Sequence, residues 1–296
     1  MNGGILVLLP ARMAHLASRV LQAGCTPVID ATGSATPAVP EGAWVRTRPG
    51  RPAPGTGPVL LAELGAPIPD RPTWLESAAP RAIPNGFAGM VLKGREAGGL
   101  CGQEDGLVLL GQCPDPSRVI LDAGLGPDTA ASAAALGAAG VLLVEPHLGC
   151  PELDLGPRLS RRLRLADDEL TTLVQGVRVA NSPTSPVLRR WLQGEDPWAL
   201  AEGLYASDDP SSHLWMAGQG LALAAELAQR YGNLPRLLEA YVDAWKGWSA
   251  RARAATRAPD GTRPVDTAAA LVEGTAATVG GRVGSGVLWQ EARFGR

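Results

Sequence analysis

The chain has 296 residues, is 45% hydrophobic and carries a formal net charge of −2, enough apolar material for one large domain or two smaller ones. Near-neutral charge argues against a broad nucleic-acid or anionic-membrane footprint, and no uncharged apolar run reaches the roughly 18 residues of a spanning helix. Cys25, Cys101, Cys113 and Cys150 lie far apart without a CxxC pair, and only three histidines accompany them; this argues against a zinc site or a disulfide framework and for a reduced cytoplasmic protein.

The opening "MNGGILVLLPARM" lacks a basic start, and its apolar run is short and ends at Pro10, so it reads as a first strand and not as a signal peptide. Met13, Leu16, Val20 and Leu21 then recur at helical spacing until Gly24. "TPVID", "AWVRT" and "PVLLAEL" are the next strands, with "RPGRPAPGTG" as loop between the last two. "GMVLK" and "RVILDAG" follow, then the Ala-rich helix "DTAASAAALGAAG" and the strand "GVLLVE". Near-continuous apolar strands alternating with helices predict a parallel sheet buried on both faces. A closed eight-unit barrel usually takes about 250 residues. Here seven strands are legible before residue 155, and segment 31–86 is short and proline-rich for the units it should hold. The expectation is an α/β fold, an abbreviated TIM-like (β/α) barrel of about seven parallel strands.

From about Gly156 the pattern turns helical. "PRLSRRLRLADDELTTLVQG" reads as a charged helix, "SPVLRRWLQGEDPWALAEGLYAS" as helix, turn and helix, and the segment from Ser211 as two helices split at "YGNLP" by Gly232, Asn233 and Pro235. Trp191, Trp198, Trp215, Trp245 and Trp248 concentrate there, as core anchors of a helical annex or as a stripe for a partner helix. The expected organisation is a shortened barrel over 1–155, a helical annex over 156–256 and a Gly-rich tail over 257–296, flexible in part or pairing with another subunit as a homodimer.

All but two of the 27 basic residues are arginine. Lys93 is one of the exceptions, and it stands beside the turn "GREAGG". A compact ammonium at that place, or chance, are the two readings. In a parallel α/β protein ligands bind at the carboxyl ends of strands, so Lys93 to Gly99 should lie on that rim. Gly94, Gly98 and Gly99 let backbone N–H groups approach a ligand. Gly124 and Gly126 in "DAGLG" repeat the arrangement before a helix whose positive end faces the same way. Two such bends on adjacent strands suit a phosphate-bearing group; equally, each glycine simply permits a tight turn. Asp122 projects onto the rim or binds a loop amide.

"MVLKGREAGGLCG" resembles the sixth-strand motif G-x-E-A-G-G-H-x-G of the 2-nitropropane dioxygenase (nitronate monooxygenase) family of FMN barrels, and "VILDAGLGPDTAASAAALGAAGVLLVEPHL" is similar to the two strands and helix that follow in it. The chain is most similar to the nitronate-monooxygenase-like domains at the N-termini of large bacterial polyketide synthases, where the strand ends in lysine before E-A-G-G and a pattern like "LWMAGQGLALAAELAQRYG" follows the barrel. The resemblance runs with gaps from about Gly4 to Ala254. It implies Lys93, Gly94, Ala97, Gly98 and Gly99 as a wall of an FMN site, Gly124 and Gly126 as donors to its phosphate, and Glu96 as the residue that fixes the turn.

Three departures leave FMN retention open. Leu100 stands at the family's catalytic histidine position and cannot move a proton. Glu145-Pro146 replaces a Gly-Thr-type pair that donates to phosphate; Pro146 has no N–H and a carboxylate repels phosphate. A strand–helix unit is missing from 31–86. Two residues offer themselves as replacements. His147 is a titrating group at the rim or a surface or capping residue, and Cys101 is a thiol beside the flavin or a small buried residue. The reading is a catalytically silent structural or docking domain whose partners are polyketide synthase domains or an acyl carrier. The alternatives are an FMN-dependent oxidoreductase acting on a polyketide intermediate or other small substrate, and a module for another phosphate-bearing ligand.

Overall fold

A computed structural model describes residues 4–34, 36–165 and 171–256, with side chains through residue 248. Strands β1 (Ile5–Pro10), β2 (Thr26–Asp30), β3 (Trp44–Thr47), β4 (Val59–Leu61), β5 (Thr73–Ser77) and β6 (Gly89–Lys93) pair in sequence order. The two-residue β7 (Gly99–Leu100) lies outside the sheet, which continues with β8 (Val119–Asp122) and β9 (Gly140–Leu143). β9 pairs in parallel with β1, and the barrel closes.

The expected TIM-like barrel is present, but it is closed by eight strands and not abbreviated to about seven, so no strand is missing from segment 31–86. All seven strands expected from the sequence are present, and the eighth is Thr73–Ser77, buried along its whole length. What segment 31–86 lacks is helices: none of its described residues is helical. Its crossovers, about a dozen residues each, are near the shortest a parallel connection allows. Loop side chains cover that arc instead, with Val39, Ile68, Ile83 and Phe87 packing on Val45, Val59, Leu61 and Leu75.

The other arc is clad in helices. After β1 a 3-10 turn leads into α1 (Ala17–Gln22), where Met13, Leu16 and Val20 are buried as the spacing predicts and Leu21 is 40% exposed, not core. α2 (Gly106–Gly111) and α3 (Pro127–Ala135) follow β7 and β8. The annex supplies α4 (Pro157–Arg164), α5 (Pro186–Leu192), α6 (Pro197–Ala201), α7 (Gly220–Tyr231) and α8 (Leu234–Thr256). Gly232 ends α7 in the left-handed region at φ 80°, and the Asn233 side chain accepts the Arg236 N–H at the start of α8. Leu234, Leu237, Leu238, Tyr241, Val242 and Trp245 form the buried stripe of α8. The barrel and the annex as far as Arg251 make one compact unit. The expected Gly-rich tail lies outside the described residues.

One helix expectation is corrected. "TTLVQGVRV" is a hairpin of β10 (Thr172–Val174) and β11 (Val177–Val179), with Gln175 and Gly176 at positive φ in its two-residue turn. β-branched residues flanking a Gln-Gly step favour this over a helix. β11 also pairs antiparallel with β7. Among the described residues no helix is long and apolar enough to cross a membrane. Trp215 and Trp245 are buried core anchors, while Trp191, Trp198 and Trp248 are half-buried.

Candidate ligand site at the barrel mouth

The period-2 alternation of the strands builds the site. Val28, Trp44, Trp74, Val91, Ile120 and Leu142 point into the lumen as one apolar layer. Two residues further along each strand, at the carboxyl end, the same inward face presents Asp30, Arg46, Glu76, Lys93, Asp122 and Val144. Charge is thus stacked directly on the apolar layer, at the mouth.

These side chains form an alternating line. Arg46 sets its Nη1 3.4 Å from Asp30 and holds Glu76 bidentately at 2.5 and 3.0 Å. Lys93 Nζ lies 3.7 Å from Glu76 and 2.7 Å from Asp122 Oδ2. Burial opposes the charge on every member. Around Arg46 and Lys93 the neighbouring carboxylates outweigh burial and hold both groups above their ordinary values. Burial alone would raise Glu76, yet Arg46 and Lys93 together hold it below the usual carboxylate range. At Asp122 burial wins over Lys93 and its acidity is weakened; the 2.7 Å contact is nevertheless that of an ammonium with a carboxylate. Asp122 Oδ1 is buried without a partner.

Above this floor opens a cavity of about 720 Å³, its walls largely apolar, including Leu8, Leu142, Trp198, Tyr205, Trp215 and Met216. The volume lies within the range typical of small-molecule sites. Trp198 is clamped by the Arg46 and Arg48 guanidiniums, 5.2 and 5.4 Å from its ring centre, and donates Nε1–H to Glu63.

Of the residues singled out in the sequence, Lys93, Gly98 and Gly99 line this cavity, as does Leu100, which is 57% exposed. Gly94 and Ala97 lie inside the turn: Ala97 N–H donates to the Gly94 carbonyl, and a side chain at Gly94 would strike Gly106. Glu96 fixes that turn by accepting the Gly106 N–H at 3.1 Å. Gly126 precedes α3. Asp122 projects into the mouth and not onto a loop amide.

A second arrangement lies on the outer side of the strand ends. Residues 217–220, leading into α7, pack against both glycine bends. A Cβ on Gly98 would come within 2.6 Å of Ala217 Cα, and one on Gly124, itself at φ 58°, within 2.7 Å of the Gly220 nitrogen. The Glu96 carbonyl accepts the Gln219 N–H at 2.8 Å. Glu145, one residue past inward-facing Val144, turns outward into this layer, and its Oε1 accepts the Gly218 N–H at 2.8 Å. Its Oε2 has no partner and stands 3.0 Å from where a Cβ on Gly220 would be. Burial and the charge of Asp122 push the Glu145 carboxyl up to about 7.

His147 is wholly buried, not at the surface, with Nε2 2.9 Å from the Leu8 carbonyl oxygen; burial lowers it to about 4 and leaves it a neutral packing residue. Cys101 is a small buried residue whose thiol burial pushes up.

Solved structures align with this chain over most of its length. FabK from Thermotoga maritima aligns with TM-scores of 0.61 and, as its M276A mutant, 0.62, at 18% identity over 86% of this chain and 96% of that one. The chain has the FabK fold. Nitroalkane oxidase from Streptomyces ansochromogenes aligns at TM-score 0.54 and 18% identity, over 84% of this chain and 97% of that one. The enoyl reductase domain of MlnA from the macrolactin biosynthesis cluster of Bacillus amyloliquefaciens superposes more loosely, at TM-score 0.49 and 10% identity, over 86% and 94% of the two chains. No protein-family model and no curated protein sequence matches.

The charged line in the lumen was not read from the sequence. Its signal was available: a charged residue two places after an inward apolar residue, at the end of strand after strand. The Glu145–Gly218 contact joins residues 73 positions apart and left no local signal.

Proposed function

We propose that this chain is a flavin-free, catalytically silent domain of a polyketide synthase system, serving as scaffold or docking module for neighbouring synthase domains or an acyl carrier. The observation that carries this reading is the Glu145 carboxylate seated against the Gly218 N–H beside Gly124 and Gly220. A flavin phosphate would need free backbone donors at these bends. Residues 217–220 and Glu145 fill that space, Pro146 offers no N–H, and Arg46 and Lys93 are committed to carboxylates. The residues present do not fit the phosphate. Leu100, at the position where the resembling family has histidine, supplies no proton carrier. The polyketide context rests on the resemblance of "MVLKGREAGGLCG" and of the annex pattern.

A second reading, an FMN-dependent oxidoreductase, has one observation in its favour: the cavity of about 720 Å³ bordered by Lys93, Gly98 and Gly99. Incubation with excess FMN followed by desalting separates the two. The expected product is colourless protein. A stoichiometric yellow complex would overturn the flavin-free reading and favour the second.

A further inference from the structure

Among the described residues, every charged side chain that borders the cavity is already engaged. On the floor Asp30 accepts from the Thr32 N–H and hydroxyl and faces Arg46, Glu76 gives both oxygens to Arg46, and Lys93 sits on Asp122. Asp122 Oδ1 has no exposed surface and is out of a ligand's reach. At the lip Glu63 accepts the Trp198 indole N–H, Glu202 accepts the Ser34 N–H and hydroxyl, and Arg12 donates to the Asp154 carbonyl. Arg48, which holds Asp196, and Arg51 stand beside Glu202. With these counted, six acids meet five cations, and neither sign dominates the mouth.

A charged ligand entering here would lose water and find no open counter-charge, and such a transfer is costly. The rest of the wall, with Leu142, Val144, Trp215 and Met216, is largely apolar. Leu100 belongs to that wall and is 57% exposed, a large apolar side chain left mostly uncovered. Covering it with a hydrocarbon body is favourable and needs no polar partner.

We propose that the barrel mouth binds an uncharged aliphatic molecule, its hydrocarbon body against Leu100, Leu142, Trp215 and Met216. This rests on the flavin-free reading, because a bound flavin would occupy the same mouth. The ligand class is a medium-chain alcohol, ketone or hydrocarbon. An amine or an acid of the same length is turned away, because each arrives ionised and meets side chains already committed to one another.

The test is calorimetric titration of the whole chain, free of FMN by absorbance, with octanol, octanoate and octylammonium at about pH 7.5, where both head groups are ionised. Octanol should bind saturably and at least about tenfold more tightly than either ion. Met216→Trp, which fills the cavity, should weaken octanol binding. Leu100→Asp and Leu100→Lys each put one open charge on the wall at an exposed position that tolerates it. Leu100→Asp should tighten octylammonium at least about threefold, and Leu100→Lys should do the same for octanoate. No binding of octanol, an ion that binds the unmodified chain as tightly as octanol, or binding indifferent to Met216→Trp and to both Leu100 variants would overturn the proposal. A yellow FMN complex would overturn the flavin-free reading and this proposal with it, whereas colourless protein that ignores octanol would overturn the proposal alone.

Discussion

The floor of the barrel mouth and the bend after the last strand each bury a glutamate, and the acidities of the two side chains move in opposite directions. Glu76 sits between the Arg46 guanidinium and the Lys93 ammonium and is held more acidic than usual. Glu145 meets one backbone N–H and the charge of Asp122, and rises to about 7. Burial is alike; the partners differ. A buried acid becomes more acidic where cations receive it and less acidic where only an amide does. The comparison separates a charged lumen from an outer layer in which Glu145 and residues 217–220 pack against the glycine bends.

The largest effect should come from breaking the lumen line at its centre. Arg46→Met leaves Asp30 and Glu76 without their guanidinium, and breaking a buried pair from one side costs about 3–5 kcal/mol. Thermal or denaturant unfolding should show a loss of that size; a loss below about 1 kcal/mol would mean the line is not dry and not coupled.

Next comes pH. Glu145 is raised from 4.5 to about 7 in the folded state, so its contribution is full below about pH 4.5 and is lost as pH rises through 7. His147 is lowered from 6.5 to about 4, so its contribution is present above pH 6.5 and is lost as pH falls through 4. Each is worth on the order of 3 kcal/mol, and the slopes oppose each other between about pH 4.5 and 6.5. Glu145→Gln should leave a stability that climbs with pH across that window, and His147→Gln one that falls. Parallel melting curves from pH 4.5 to 7 check both; identical slopes in the two variants would dissolve the contrast between amide-bound and cation-bound acids.

A smaller change addresses the outer layer. Gly98→Ala places a methyl group only 2.6 Å from Ala217 Cα, and overpacking of this kind costs typically about 1–3 kcal/mol. Unfolding midpoints should fall accordingly. An unchanged midpoint would mean that segment 217–220 gives way without cost, leaving the bends open.

The sequence disclosed the barrel because lumen and outer face both demand apolar residues, which makes seven strands nearly continuous hydrophobic runs. Thr73–Ser77 escaped because its run is broken by Glu76, the residue that reaches inward to Arg46. The hairpin at 172–179 escaped because the charged helix α4 stands just before it in the same stretch. Lys93 and the two glycine bends were legible as a rim, and the acid and proline at 145–146 as a departure. What fills the space between those bends was not, since Ala217 to Gly220 come from the far end of the chain and meet them only through the fold.

The most direct test of this account is an equilibrium titration of FMN into the unmodified protein beside Glu145→Gly. The unmodified chain should show no saturable binding, and any gain should be confined to Glu145→Gly, where the carboxyl group is gone. Stoichiometric FMN binding by the unmodified chain, undiminished or weakened in Glu145→Gly, would contradict it.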